Sequence, residues 1–173
     1  MAVLAVLCLL IEACGGTTSV AVDKVNADTG LVPNENGFSF ANFGAAATPE
    51  SFDGADLVQM FGSQACVGGK TEPCTPTTEA ASWARMVNES RASGHCEGLA
   101  VQAAARFDAN ADPATVKLFN SGDVTHGIMR AFATQFLPEV QDATSSWTKK
   151  SLAEKINELA RSLKSGKTDY TLG

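Results

Sequence analysis

The sequence is poor in clustered basic residues, and it has no apolar stretch of the 20 or so residues that cross a bilayer. It contains 13 Lys and Arg against 19 Asp and Glu, and its net charge is −6. Its basic residues form no cluster longer than the pair Lys149-Lys150. Nucleic acids and bare anionic membranes are therefore not expected as partners.

The N-terminus carries an apolar run, Ala2–Ile11, that has the length of a signal-peptide core. The segment Leu10–Cys14 follows at once and resembles the bacterial lipobox, in which aliphatic and small residues end at a cysteine. The resemblance implies that a diacylglycerol is attached to the Cys14 thiol and that the chain is cleaved before it. We therefore expect an exported protein, anchored by a lipid in the membrane of a bacterial cell envelope. A buried N-terminal strand with an ordinary cysteine is the alternative.

Composition then divides the chain into a linker and one domain. The residues after Cys14 up to Gly37 are rich in Gly, Thr, Ser, Asn and Asp and include no aromatic residue, which is typical of a flexible linker. We predict a lipoprotein-type signal peptide over 1–13, a linker over 14–37 and a helical domain over 38–173. This length is enough for one domain with its own core.

The cysteines that follow predict one disulfide and one free thiol. Cys66 and Cys74 flank a Gly- and Pro-rich turn, and in an exported protein such a pair is most simply a disulfide. A zinc site would need two further ligands at a fitting spacing, and the adjacent His95 and Cys96 do not easily point the same way. We predict no metal and no cofactor, and Cys96 remains unpaired.

Capping residues and apolar periodicity predict a mainly α fold. Asp53 is a predicted N-cap for a short helix that ends at Gly62. Thr77 or Thr78 caps the next helix, and another runs from near Cys96 to about Phe107.

The second half of the domain predicts three more helices. Asp112-Pro113 opens a short one that ends at Leu118-Phe119, and another runs from near Val124 to Leu137, where Pro138 breaks it. A last helix has one apolar stripe that is expected to lie in the core, formed by Leu152, Ile156, Leu159 and Leu163.

The segment Gly94–Gly98 carries the functional signal. Glycine ends one predicted helix and Cys96 opens the next, where free N–H groups and the positive end of the helix dipole stabilise a thiolate. Gly94, Cys96 and Ala100 match the spacing of glycine, cysteine and a small residue in the transglutaminase-like branch of the papain-like superfamily, which this segment resembles.

The resemblance implies that Cys96 is the nucleophile of a thiol hydrolase or acyl-transferring enzyme with a peptide or protein substrate. It also implies a helical half followed by a β subdomain that supplies a histidine base. We therefore expect the helical half of a papain-like α+β fold, truncated before that subdomain, in which neither His95 nor His126 serves Cys96. The Cys96 N–H and the side chain of Asn88, or more weakly Gln64, are the expected oxyanion donors.

Two interpretations of Cys96 stay open from the sequence. It is either a nucleophile or an inert thiol buried beside Leu99, Ala103 and Phe107, because free cysteines are among the most buried residues. The first makes the protein an envelope-anchored, cysteine-peptidase-like enzyme. The second makes it a non-catalytic envelope lipoprotein that acts as a binding or scaffolding module.

The apolar run and the Ala13-Cys14 junction generate the first prediction, that Cys14 is lipidated in the native host. Metabolic labelling with a fatty-acid probe should mark the wild-type protein and leave Cys14→Ser unlabelled. Equal labelling of the two proteins would contradict the assignment.

Overall fold

The computed structural model describes residues 28–165. Within this range the chain is mainly helical, with seven α-helices and one two-stranded sheet, which confirms the predicted fold class. The predicted signal peptide, Cys14 and the residues after Ser165 lie outside the described range. None of the helices inside it has both the length and the apolar character needed to cross a membrane.

The elements follow one another with short connections, several of them single 3₁₀ turns. In chain order they are α1 (Pro33–Asn36), α2 (Gly54–Phe61), β1 (Cys66–Thr71), β2 (Cys74–Pro76), α3 (Thr78–Ser90), α4 (Cys96–Asp108), α5 (Asp123–Ala133), α6 (Pro138–Thr148) and α7 (Leu152–Ser165).

The predicted starts of α2 and α3 are confirmed by their caps. The Asp53 carboxylate accepts hydrogen bonds from the Ala55 and Asp56 N–H groups, while the Asp56 carboxylate accepts one from the Asp53 N–H. This reciprocal capping box satisfies N–H groups that have no partner inside the helix. At α3 the Thr77 hydroxyl accepts from the Ala80 N–H at 3.2 Å.

The predicted disulfide is confirmed, and it joins the two strands of a hairpin. Cys66 and Cys74 are bonded with their Cα atoms 5.3 Å apart. β1 and β2 are antiparallel, with Cys66 opposite Pro76 and Thr71 opposite Cys74. The sequence predicted the turn between the cysteines but not the strands beside it.

The core lies between α2, α3 and α5. Its buried side chains include Phe52, Leu57, Val87, Met129 and Phe132. Gly98 allows α4 to approach α5 closely, because a Cβ there would overlap the Ile128 carbonyl oxygen and come within 2.9 Å of the Phe132 backbone nitrogen. The start of α4 is therefore pressed against the middle of α5.

The helix predicted from Asp112-Pro113 to Phe119 is wrong, since only the 3₁₀ turn Thr115–Lys117 forms there. Arg106 holds this segment against α4, because its guanidinium donates to the Pro113 carbonyl at 2.5 Å and to the Thr115 hydroxyl at 3.3 Å. These side-chain bonds replace the backbone bonds of a longer helix.

The predicted helix from Val124 to Leu137 is shorter than expected. α5 ends at Ala133, a 3₁₀ turn covers Thr134–Phe136, and Pro138 is the first residue of α6, which the sequence analysis missed. Proline is favoured at the first helical position because its missing N–H would have no partner there. The same residue that interrupts one helix therefore starts the next.

The expected core stripe of α7 is also wrong. The helix forms over Leu152–Ser165, but none of its residues is buried, and Leu152, Ile156 and Leu163 are exposed. Amphipathicity shows that one face is apolar, not that the same domain covers it.

Regular structure also begins before residue 38, the predicted start of the domain, since α1 lies within the segment assigned to the linker. Residues 38–43 form no strand. The ring of Phe40 contacts the rings of Phe38 and Phe43.

The close approach at Gly98 generates the second prediction. Gly98→Ala should lower the free energy of unfolding by about 1–3 kcal/mol, because overpacking outweighs the better helix propensity of alanine. Chemical denaturation measures the change. Gly127→Ala is the matched control, since its Cβ would meet only the ends of flexible side chains, Gln102 at 3.4 Å and Arg130 at 3.9 Å. Equal effects of the two changes would contradict the packing at Gly98.

Candidate functional site

Cys96 is the first residue of α4, and its side chain is exposed. The burial considered for it from the sequence is therefore wrong. The N–H groups of the first turn have no partners inside the helix. Within residues 28–165 neither histidine forms a hydrogen bond with the sulfur.

The chain before Cys96 is fixed by contacts with the loop after α1. Gly94 has a φ of 144°, a conformation that L side chains rarely adopt, and a Cβ there would overlap the Asn42 amide. The Asn42 Oδ1 accepts a hydrogen bond from the His95 N–H at 2.7 Å. Glycine at position 94 thus lets the Asn42 side chain reach the backbone of the next residue.

His95 is fully buried directly behind the exposed Cys96. Its Nδ1 lies 2.6 Å from the Phe43 carbonyl oxygen, which only accepts, so Nδ1 carries the proton. The imidazole also packs on the rings of Phe43 and Phe132, with centroids 4.5 and 5.4 Å away. Burial lowers the pKa of His95, and the charge of Arg91 lowers it further, against the opposing effect of the Phe43 hydrogen bond. The ring is therefore neutral, with Nε2 as its acceptor.

Arg91 lies beside His95 and is 3% exposed. Its Nη1 is 3.5 Å from His95 Nε2 and 2.7 Å from the Met129 sulfur, and its Nη2 donates to the Glu50 carbonyl at 2.5 Å. Burial lowers the pKa of Arg91, while the charges of Asp56 and Glu50 oppose this shift. The guanidinium thus joins the end of α3 to α5 and to the loop before α2.

Asn88, the expected oxyanion donor, forms its hydrogen bonds with the backbone of Phe52. Its Oδ1 accepts from the Phe52 N–H at 2.9 Å, and its Nδ2 donates to the Phe52 carbonyl at 2.8 Å. The two bonds fasten the chain before α2 to α3. The structure shows no hydrogen bond between Asn88 and Cys96, and Gln64 lies exposed in the 3₁₀ turn after α2.

A second polar cluster, formed by Asp56, His126 and Arg130, joins α2 to α5. The Asp56 carboxylate is fully buried, and it accepts from His126 Nδ1 at 2.8 Å and from Arg130 Nη1 at 2.7 Å. His126 and Arg130 are four residues apart and therefore share one face of α5. A buried carboxylate is tolerated here because both oxygens are hydrogen-bonded to donors that include a guanidinium.

The geometry would also allow a metal to be considered at this cluster, because ligand atoms of Asp53, Asp56 and His126 lie within 4.8 Å of one another. The donor set argues against a metal. Asp56 already accepts from Arg130, whose positive charge would repel a cation, and its other oxygen is used by His126 and by the Asp53 N–H. We interpret the cluster as an ion-paired support.

Sequence reasoning missed both polar clusters. Because His95 is adjacent to Cys96 in the chain, the sequence excluded His95 as a base, but it did not show that the His95 ring faces inward. The signals that were present are the Asp53-to-Asp56 capping spacing and the four-residue separation of His126 and Arg130. Neither signal identifies its distant partner, 70 or more residues away along the chain.

Comparison of the chain with protein-family models, curated proteins and solved structures found no match. The geometry of the described residues is therefore the basis for the functional argument below.

The third prediction concerns His95 and pH. Because its folded pKa is lower than its ordinary value of 6.5, the unfolded chain takes up a proton first as the pH falls. Stability should therefore be lost below pH 6.5, by up to about 1.4 kcal/mol per pH unit for one proton, until the folded pKa is passed.

Denaturation across this pH range should show a steeper loss for the wild type than for His95→Asn, which keeps a donor for the Phe43 carbonyl. His126 is present in both proteins, so its titration cancels in the comparison. Identical pH slopes would show that His95 is not buried as a neutral ring.

Proposed function

We propose that this protein is an envelope-anchored thiol enzyme of the cysteine-peptidase-like or acyl-transferring kind, with Cys96 as its nucleophile. The observation that carries the proposal is an exposed thiol on the first residue of a helix, with Gly94, His95 and Gly98 buried close to it in the chain.

The position of the thiol suits nucleophilic chemistry. The start of a helix offers free N–H groups and the positive end of the helix dipole, which favour an anionic nucleophile. The same N–H groups would stabilise an oxyanion that forms on an acyl group attacked by the sulfur. Exposure leaves room for a peptide or protein substrate to reach it.

The rigidity of the surrounding backbone supports the same function. Gly94 and His95 before the cysteine and Gly98 after it are all buried, and each is held by contacts from another element. A nucleophile held in one geometry needs little reorganisation to reach the transition state. An ordinary surface cysteine has no such support.

The base must come from a group other than the two histidines in their present positions. The His95 ring is turned into the core, and His126 Nδ1 is bonded to Asp56. The papain-like resemblance supplies the expected source, a histidine on a later β subdomain. A lipid on Cys14 and a linker would hold the domain at the membrane surface, within reach of envelope peptides or proteins.

A non-catalytic binding or scaffolding lipoprotein is the second candidate. The exposed apolar face of α7 favours it, because such faces mark interaction sites in folded proteins. In that case Cys96 would be an exposed thiol without a reaction to perform.

The fourth prediction separates these functions by the reactivity of Cys96. Iodoacetamide at neutral pH should alkylate Cys96 faster in the folded protein than in the same protein in guanidinium chloride, because free N–H groups at a helix start favour an anion and exist only in the folded helix. Peptide mass spectrometry follows Cys96 specifically, and Cys96→Ser is the blank. A slower reaction in the folded state would contradict the proposed nucleophile.

A further inference from the structure

The apolar stripe of α7 is uncovered in the described part of the chain. Leu152, Ile156 and Leu163 are 73%, 54% and 40% exposed, and Leu159 is half-buried. Their spacing of four, three and four residues places all four on one side of the helix. A stripe of this kind is suited to packing against another apolar surface.

The charge of this segment is opposite to that of the rest of the domain. Residues 149–165 carry five basic and two acidic residues, a net charge of +3, whereas residues 28–148 carry six basic and fourteen acidic residues, a net charge of −8. Both acids of the segment are engaged, since Glu154 caps α7 through the Ser151 N–H and Glu158 pairs with Lys150. The other four cations form no ion pair with a residue in 28–165: Lys149, Lys155, Arg161 and Lys164.

The positions of these cations on α7 favour a partner surface that is apolar in the middle and acidic at its edges. With 3.6 residues per turn, Lys155 and Lys164 flank the apolar stripe on opposite sides of α7. Their long side chains reach beyond the stripe, so they can pair with carboxylates at the edge of the surface that it contacts.

A surface of this description lies on the same protein. A groove of about 470 Å³ runs between the start of α2, β2 and α3. Its apolar lining includes the half-buried Pro76 and the exposed Ala81, together with the buried Phe52. The acids Asp53 and Glu89 also line it, with one cation, Arg85. We call it the α2–α3 groove.

We propose that α7 of one copy docks in the α2–α3 groove of a second copy, and that the exchange is reciprocal. An amphipathic helix in an apolar groove is a recurring mode of recognition, and charge complementarity selects the partner. In a two-fold arrangement, the apolar stripe of each copy occupies the groove of the other copy, so that no stripe or groove is left for a third copy. The interface is separate from Cys96, so it stands whether or not the proposed enzyme function holds.

Sedimentation of the full-length chain over a dilution series tests the stripe. The wild type should form a dimer that dissociates on dilution and is weakened by salt. Ile156→Glu should raise the dissociation constant by about tenfold or more, because it places a charge in the apolar contact. Asn157→Glu adds the same charge to the polar face and should leave the constant nearly unchanged. Ile156 is exposed, so circular dichroism should show that both variants fold.

Ala81→Arg tests the groove, with Ser82→Arg on the neighbouring exposed position as its control. The first should weaken the dimer and the second should not. A wild type that stays monomeric, or a dimer lost in Ile156→Glu but retained in Ala81→Arg, would overturn the proposal.

A membrane is another occupant that the measurements distinguish. A monomeric protein that binds phosphatidylglycerol vesicles and loses this binding in Ile156→Glu would assign α7 to an anionic lipid surface instead, and would overturn docking in the groove.

Discussion

The buried imidazole of His95 joins three parts of the chain: the loop after α1, the end of α3 and the middle of α5. Its Nδ1–H bonds to the Phe43 carbonyl, its Nε2 faces Arg91 at the end of α3, and its ring packs on Phe132 of α5. Because His95 directly precedes α4, these contacts determine where that helix begins and which way its first side chain points. A charged imidazole could not occupy this position beside Arg91 without a large cost.

α5 connects this arrangement to the rest of the core. One side of the helix contacts Arg91 and His95 through Met129 and Phe132, while His126 and Arg130 reach the buried Asp56 of α2. Gly98 lets α4 lie directly against it. The exposed cysteine is therefore supported by a helix that is itself tied to α2 by an ion-paired carboxylate. A solvent-exposed thiol does not need this support to fold. Catalysis would need a general base in addition to it.

Local signals predicted the parts of the fold that depend on neighbouring residues. The caps at Asp53 and Thr77, the start of α4 at Cys96 and the Cys66–Cys74 disulfide follow from short-range chemistry. Features that depend on distant partners were not predictable in the same way. Arg106 overrode the helix expected after Asp112, and the stripe of α7 could not reveal from the sequence that it lies uncovered. The same limit applies to the candidate site. The sequence indicated Cys96, but it did not indicate the contacts that Phe43 and Arg91 make with His95 behind it.

The central claim is that a neutral, inward-facing His95 presents Cys96 at the start of α4 as an accessible, fixed thiol. A crystal structure of the protein alkylated at Cys96 tests this most directly. We expect the adduct on an exposed sulfur, α4 beginning at that residue, and the His95 ring still bonded to the Phe43 carbonyl. An alkylated structure in which α4 has unwound at its start, or in which the His95 ring has turned out to solvent, would contradict the account.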